Sequence, residues 1–257
     1  MSIPMDMNEV RRHLVEFLRD ECRNAGFSRA VLGLSGGVDS AVVAHLAAEA
    51  LGKENLLTLL MPYRTSSPRS RADAELVVRR LGVRSELVEI SPMVDAYLEK
   101  AAVTDQLRRG NVMARCRMIV LYDVSAREKA LVLGTGNKTE TLLGYGTQYG
   151  DTACALNPLG DLYKTQVWEL ARALGVPEEI VSKKPSADLW EGQTDEEELG
   201  LSYLEVDRFL HAMVDQGRPV PDLIAMGYAE AYIARVQQMI RRNEFKRRMP
   251  LVARISQ

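Results

Sequence analysis

At 257 residues, with 46% hydrophobic and 26% charged side chains, the chain can build one large domain or two small ones and has the balance of an ordinary globular enzyme. A total of 33 lysines and arginines against 35 aspartates and glutamates leaves a formal net charge of −2, which excludes a global electrostatic attraction to nucleic acid or to an anionic membrane. Cys22, Cys116 and Cys154 form no CxxC pair, against a zinc site or a disulfide framework, and no run of about 18 apolar residues occurs, so a cytoplasmic protein without a membrane segment is expected.

Val10, Leu14, Phe17 and Leu18 recur at helical spacing among charged residues and predict a first helix ending near Gly26. The apolar run 30–34 predicts a strand, followed by a turn at Ser35, Gly36 and Gly37 and a helix over 40–51 closed by Gly52. A second strand is expected over 56–61, stopped by Pro62, and then a turn-rich, mobile loop over 63–70. Ala72, Leu76, Val77 and Leu81 mark the next helix, with Gly82 just past its end. A third strand over 87–90, a helix over 92–100, a longer helix over 112–127 and a fourth strand over 130–133 complete the alternation. On the longer helix Val112, Cys116, Ile119 and Val120 are expected to share one face. Strands separated by helices imply parallel pairing through right-handed crossovers, hence a doubly wound α/β sheet flanked by helices. Residues 182–200 are polar, carry Pro185, Gly192 and an acidic run at 195–198, and read as a mobile lid whose Leu189 and Trp190 close over a ligand. A helical segment over 202–257 ends in a locally basic tail at 241–254. No internal repeat or low-complexity stretch interrupts the chain, and one domain over 1–257 is expected.

The chemistry is concentrated where the first strand ends, in the sequence RAVLGLSGGVDS over 29–40. Gly36 and Gly37 tolerate positive φ and carry no Cβ, so successive backbone N–H groups can turn inward on an anion, and Ser35 and Ser40 add hydroxyl donors. The loop runs into a helix N-terminus, whose unpaired N–H groups favour negative charge, and the arrangement suits a pyrophosphate. Asp39 stands in this nest, where like charges about 4 Å apart repel by about 4 kcal/mol at an effective dielectric of about 20. A divalent cation resolves the conflict, and Mg2+ is the expected ion because it binds through one or two carboxylates plus substrate phosphates. No lysine follows at the Walker A position, which excludes that loop type. A plain strand-to-helix turn, with Ser40 near the N-cap, is the structural alternative. The pattern resembles the SGGxDS loop of the ATP pyrophosphatases, which split ATP between its α and β phosphates and activate an acid or amide as its adenylate. The fourth strand ends in a second loop, GTGNKTE over 134–140, with a hydroxyl at Thr135, an amide at Asn137 and a carboxylate at Glu140. Paired with Asp39, that carboxylate makes a candidate Mg2+ site.

SGGVDS, GTGNKTE, GYGTQYGD (144–151), GDLYKTQV (160–167) and KPSADLWEGQTDEEELG (184–200) occur in the order and spacing of the NAD+ synthetases, and the resemblance covers nearly the whole chain. It implies a Rossmann-like ATP pyrophosphatase fold and an ammonia-dependent ligase that amidates nicotinic acid adenine dinucleotide to NAD+ through an adenylated intermediate, releasing AMP and pyrophosphate. By correspondence, ATP would be bound by Gly33, Leu34, Ser35, Gly36, Gly37, Val38, Asp39, Ser40, Thr135, Lys164 and Ser186, with Mg2+ at Asp39 and Glu140. Asp39 and Lys164 would be catalytic, the lysine neutralising terminal phosphate charge from outside the loop. Arg115, Gln148, Ala155, Phe245 and Lys246 would meet the dinucleotide, Lys246 at its phosphates, at the subunit boundary of a symmetric homodimer. Many ammonia-dependent relatives have lysine, aspartate and histidine where this chain has Gln148, Ala155 and Phe245, so the grip on the nicotinate half is expected to differ. Those positions look more like the branch associated with glutaminase activity, yet the chain has no room for an added amidohydrolase domain of about 200 residues. Free ammonia or a separate glutaminase is then the nitrogen source. Cys154 is expected to be a small buried thiol, since His13, His45 and His211 all lie far from it in sequence. Another N-type ATP pyrophosphatase, an amidotransferase synthetase subunit or a tRNA-modifying enzyme, is the alternative. It should bring a cysteine pair, a basic RNA-binding module or a dedicated dimerisation domain, and none is visible.

Overall fold

The computed structural model describes residues 3, 5–190 and 192–255. Helix α1 (Met7–Asn24) starts at Asp6, whose carboxylate accepts the Asn8 N–H at 2.9 Å, and turns Val15, Leu18 and Cys22 inward. Strand β1 (Ala30–Gly33) leads into α2 (Val38–Leu51), and β2 (Leu56–Leu60) into α3 (Pro68–Leu81). Proline suits a first helical turn, where its missing N–H would be unpaired anyway, so α3 takes 68–70 from the stretch expected as loop. Then come β3 (Arg84–Leu87), α4 (Ser91–Lys100), α5 (Gln106–Glu128) and β4 (Leu131–Leu133).

The sheet is parallel throughout, ordered β3-β2-β1-β4. β2 is buried along its whole length, as its leucines require of a strand covered on both faces, and its one polar side chain, Thr58, donates to the Arg84 carbonyl at 3.0 Å. β3 lies at 84–87, not at the expected 87–90. Its register pairs Leu57 with Arg84 and Leu60 with Leu87. An edge strand half open to water accepts Arg84, Ser85 and Glu86, so the apolar cue pointed too far along the chain.

β1 sends Leu32 to one side, into the layer of α1, α2 and α7 (Lys164–Ala173) with Leu18, Leu46 and Leu170. It sends Val31 to the other side, where Val94 of α4 and Met113 and Val120 of α5 lie. The buried stripe of α5 is Met113, Cys116, Val120 and Val124, and Ile119, expected on that face, is 52% exposed. One residue is more than a quarter turn of helix, which carries Ile119 off the stripe.

The remaining helices are α6 (Lys138–Leu143), α8 (Glu178–Val181), α9 (Asp195–Leu199), α10 (Tyr203–Leu210), α11 (Val220–Ala225) and α12 (Glu230–Arg242). Tyr163, Tyr203, Phe209, Ile233 and Val236 make a third apolar cluster, so the C-terminal helices have a core of their own. Among the described residues no helix is long and apolar enough to cross a membrane. β1 pairs with β2 on one side and with β4 on the other, so the strand order reverses at β1. The loops leaving the carboxyl ends of β1 and β4 therefore open on one crevice, where open α/β sheets bind ligands.

Candidate active site

The turn after β1 is braced by its own serines. Ser40 Oγ accepts the Ser35 N–H at 3.2 Å and donates to the Gly37 carbonyl at 3.0 Å, while Ser35 Oγ accepts the Gly37 N–H at 3.2 Å. Gly36 has φ +78°, and a Cβ there would collide with the Ser70 carbonyl oxygen in the first turn of α3. Gly37 caps α2 without a side-chain hydrogen bond, which leaves the first N–H groups of the helix free for an anion. The helix starts two residues before the expected Ser40.

The turn after β4 is tied to the first by one amide. Asn137, fully buried, caps α6 by accepting the Glu140 N–H at 3.0 Å, and its Nδ2 donates to Asp39 Oδ1 at 3.0 Å. Glu140 thus sits in the first turn of a helix and shares the Lys164 ammonium with Asp39. Lys164, the first residue of α7, donates from Nζ to Asp39 Oδ2 at 2.5 Å and to Glu140 Oε1 at 3.2 Å. With its side chain 3% exposed, it is not a solvated surface lysine. Burial alone would lower its pKa, but Asp39, Glu140 and Asp195 outweigh that and hold the ammonium charged. Burial pushes Glu140 up to about 7, opposed by Lys164 and reinforced by Asp39 and Asp195.

These groups open on one cavity of about 720 Å³. Gly33, Leu34, Ser35, Gly37, Val38, Asp39, Ser40, Thr135, Glu140, Lys164, Ser186 and Lys246 all line it, whereas Gly36 lies behind, against α3. Residues 183–190 and 192–195 form one wall. Asp188 takes the Ser67 N–H on both carboxylate oxygens at 3.2 Å, Lys183 pairs with Asp73 at 2.9 Å, and Leu189 packs on Gly110.

The sequence profile of the family described as NAD synthase matches residues 10–250. The chain belongs to the NAD synthase family. An NH(3)-dependent NAD(+) synthetase of Fusobacterium nucleatum subsp. nucleatum is 52% identical over 254 residues, covering 99% of this chain and 98% of that protein. Among solved structures, an NH3-dependent NAD synthetase from Campylobacter jejuni, in complex with nitrate, superposes with a TM-score of 0.84 at 36% identity, covering 97% of this chain and 100% of that one. An NMN synthetase from Francisella tularensis superposes with a TM-score of 0.87 at 35% identity, covering 97% and 99%.

In this NAD synthase, four residues expected to meet the dinucleotide lie outside the cavity lining. Arg115 is exposed and donates to the Gln148 carbonyl at 3.2 Å; the Ala155 N–H is spent on the Val132 carbonyl at 2.8 Å; Phe245 is 58% exposed. Lys246 reaches the rim, where its ammonium donates to the carbonyls of Gly144 and Gly146 at 2.7 and 2.9 Å. Among the further charged residues that line the cavity are Arg117 and Asp195. Arg117, two residues from Arg115 on α5, lines the wall with Nε on the Met61 carbonyl at 3.0 Å. Asp195, 4% exposed, accepts the hydroxyls of Tyr145 at 2.9 Å and Tyr203 at 3.2 Å. The acidic run 195–198 marked the neighbourhood, and of its four acids Asp195 and Glu198 line the cavity, in a helix capped by Thr194. Cys154 packs against Gly134, where a Cβ would lie 2.6 Å from its sulfur, and burial pushes its thiol up. It is partly buried, not the fully buried thiol expected, because it sits in the loop just beyond β4.

Proposed function

We propose that this protein amidates nicotinic acid adenine dinucleotide to NAD+ with ammonia, cleaving ATP to AMP and pyrophosphate. The observation that carries the reading is Lys164 held between Asp39 and Glu140 beside a glycine cradle, in a chain 52% identical to an NH(3)-dependent NAD(+) synthetase. In the first step a carboxylate oxygen of the pyridine ring attacks the α-phosphorus and the bond to the β-phosphate oxygen breaks. Bringing a carboxylate to a polyphosphate is the physical difficulty, so fixed donors and charge dominate catalysis. The free N–H groups of α2 and the hydroxyls of Ser35 and Ser40 receive the departing pyrophosphate, and Lys164 supplies the positive charge that the cradle lacks. No protein nucleophile is required. In the second step the ammonia lone pair attacks the acyl carbon, the bond to AMP breaks, and a proton is released. The wall formed by 183–190 and 192–195 keeps water from the adenylate meanwhile.

Asp39 and Glu140 fit Mg2+. Both are hard oxygen donors facing the cavity, and they already converge on one cationic centre. Among the described residues no group of three or more His, Cys, Asp or Glu is arranged for a metal, and Mg2+ needs only one or two carboxylates when phosphates complete its shell. Such an ion would neutralise phosphate charge. Arg115, Gln148, Ala155 and Phe245 fit the far end of a dinucleotide bound at a subunit boundary. Leu107, Ile119 and Tyr122 are exposed on α5, and Arg115 shares the Ile119 and Tyr122 side by helical spacing, which supports a homodimer formed through this helix.

The test is incubation of the pure protein with Mg·ATP, ammonium or glutamine, and nicotinic acid as its adenine dinucleotide or its mononucleotide. We expect AMP, pyrophosphate and NAD+ from ammonium and the dinucleotide, and little product from glutamine. The mononucleotide arm is included because of the likeness to an NMN synthetase; preferential amidation there would reassign the substrate. Formation of ADP would refute the cleavage site.

A further inference from the structure

We propose that Asp207, a residue of α10 outside the cavity, is a positioning residue for the amidation described above, on which this inference rests: it clamps the first turns of α6 and α7 and so fixes the gap between Glu140 and Lys164. Asp207 is fully buried. Its Oδ1 accepts the Thr139 hydroxyl at 2.6 Å and its Oδ2 the Thr165 N–H at 2.8 Å, while Thr139 Oγ1 accepts the Lys164 N–H at 3.0 Å. Each bonded residue is the immediate neighbour of a charged one, Thr139 of Glu140 and Thr165 of Lys164.

Burying a carboxylate is costly unless its hydrogen bonds are met, and packing alone would be served by leucine at this position. What leucine could not do is accept an N–H in the first turn of α7, where Gln166 Oε1 takes the Tyr163 N–H at 2.9 Å and the Thr165 N–H goes to Asp207. One turn earlier on the same face of α10, Tyr203 places its ring 5.4 Å from Lys164 Nζ and donates its hydroxyl to Asp195 at 3.2 Å. A single short helix therefore touches both starts of the catalytic pair and the inward carboxylate of the lid. A shift of either helix start by about 1 Å is enough to cost about a hundredfold in rate.

The experiment uses the full chain and reads pyrophosphate release in a single turnover with Mg·ATP and nicotinic acid adenine dinucleotide, ammonia omitted. Asp207→Asn keeps an acceptor for the Thr165 N–H and a group that bonds Thr139, and should stay within about threefold of wild type. Asp207→Leu keeps the volume and loses both bonds; its rate at saturation should fall about thirtyfold with the KM for ATP within about threefold. A leucine variant as fast as wild type, an asparagine variant as slow as the leucine one, or a loss confined to KM would each overturn the proposal. Should the leucine variant fail to fold, Thr139→Val removes at constant shape both bonds of this hydroxyl, to Asp207 and to the Lys164 N–H, and should lose about tenfold in the same rate; a wild-type rate there also overturns it. Amide hydrogen exchange at Lys164 and Thr165 needs no turnover and should quicken about tenfold in Thr139→Val, with unchanged exchange refuting the clamp. Wild-type protein that releases no pyrophosphate would sink the functional reading alone, and the exchange measurement would still decide the clamp.

Discussion

Lys164 was legible as a candidate from its place in GDLYKTQV, yet its spacing equally fits a solvated lysine in a helix's first turn. Its partners lie 125 and 24 residues away in sequence, and only the fold brings them to its ammonium. Removing one member of a buried ion cluster leaves the rest uncompensated. Lys164→Met should lower the unfolding free energy by about 3 kcal/mol near neutral pH and cut AMP formation by about a hundredfold. The sign with pH is set by Glu140, whose carboxyl burial raises to about 7 and which the variant deprives of its opposing cation. A carboxyl raised in the folded state costs stability above its unfolded value, and the cost vanishes as it takes up its proton. Without Lys164 the carboxyl rises further still, so urea melts should show a penalty relative to wild type that is largest above about pH 7 and shrinks as the pH falls to about 7; a penalty that grows on acidification contradicts the assignment. Arg117 and Asp195 show the limit of motif reading from the other side. Each stands beside residues of like type, and the helical phase of α5 and of α9 chooses among them.

At the level of elements, the alternation of strands and helices was readable because β1 and β2 are apolar runs, broken only by Thr58, that end at glycine and proline. β3 was not, because an edge strand needs no apolar sequence. Gly36 is the clearest case of an element fixed by one residue, since its missing Cβ is what lets the cradle touch α3. Gly36→Ala should weaken ATP binding by about tenfold or more through the collision with Ser70 and the cost of positive φ, measurable by calorimetric titration with Mg·ATP; unaltered affinity would show that the cradle tolerates the side chain. The lid wall depends on a different kind of contact. Asp188 holds the Ser67 N–H from a left-handed backbone conformation, φ +51°, so Asp188→Ala loses the bond and keeps the strain. Chymotryptic cleavage near Leu189 and Trp190 should then speed up by about fivefold, and equal cleavage rates would mean that Lys183 and Leu189 alone secure the wall.

For the whole molecule, the sequence pointed to the crevice and to most of its lining, because glycine turns and carboxylates advertise themselves. The side of the site outside the cavity was named only by correspondence, since exposed residues such as Arg115 and Phe245 owe their position to a surface and not to a core. That surface makes its own prediction. Ile119→Glu, on the open face of α5, should turn a dimer in sedimentation velocity into a monomer and raise the KM for the dinucleotide while leaving the fold intact; a variant that sediments as wild type would exclude α5 as the interface.

The span of chain enclosed by the catalytic pair has a consequence for how the protein is made. Asp39 must wait for Lys164, 125 residues later, and Thr139 for Asp207, 68 residues later. On a ribosome adding about 5–20 residues per second, the first wait lasts on the order of ten seconds. During it the turn after β1 lacks the partners that close the cluster in the folded protein, so translation delivers the glycine turn first and its ammonium and clamp only with α7 and α10.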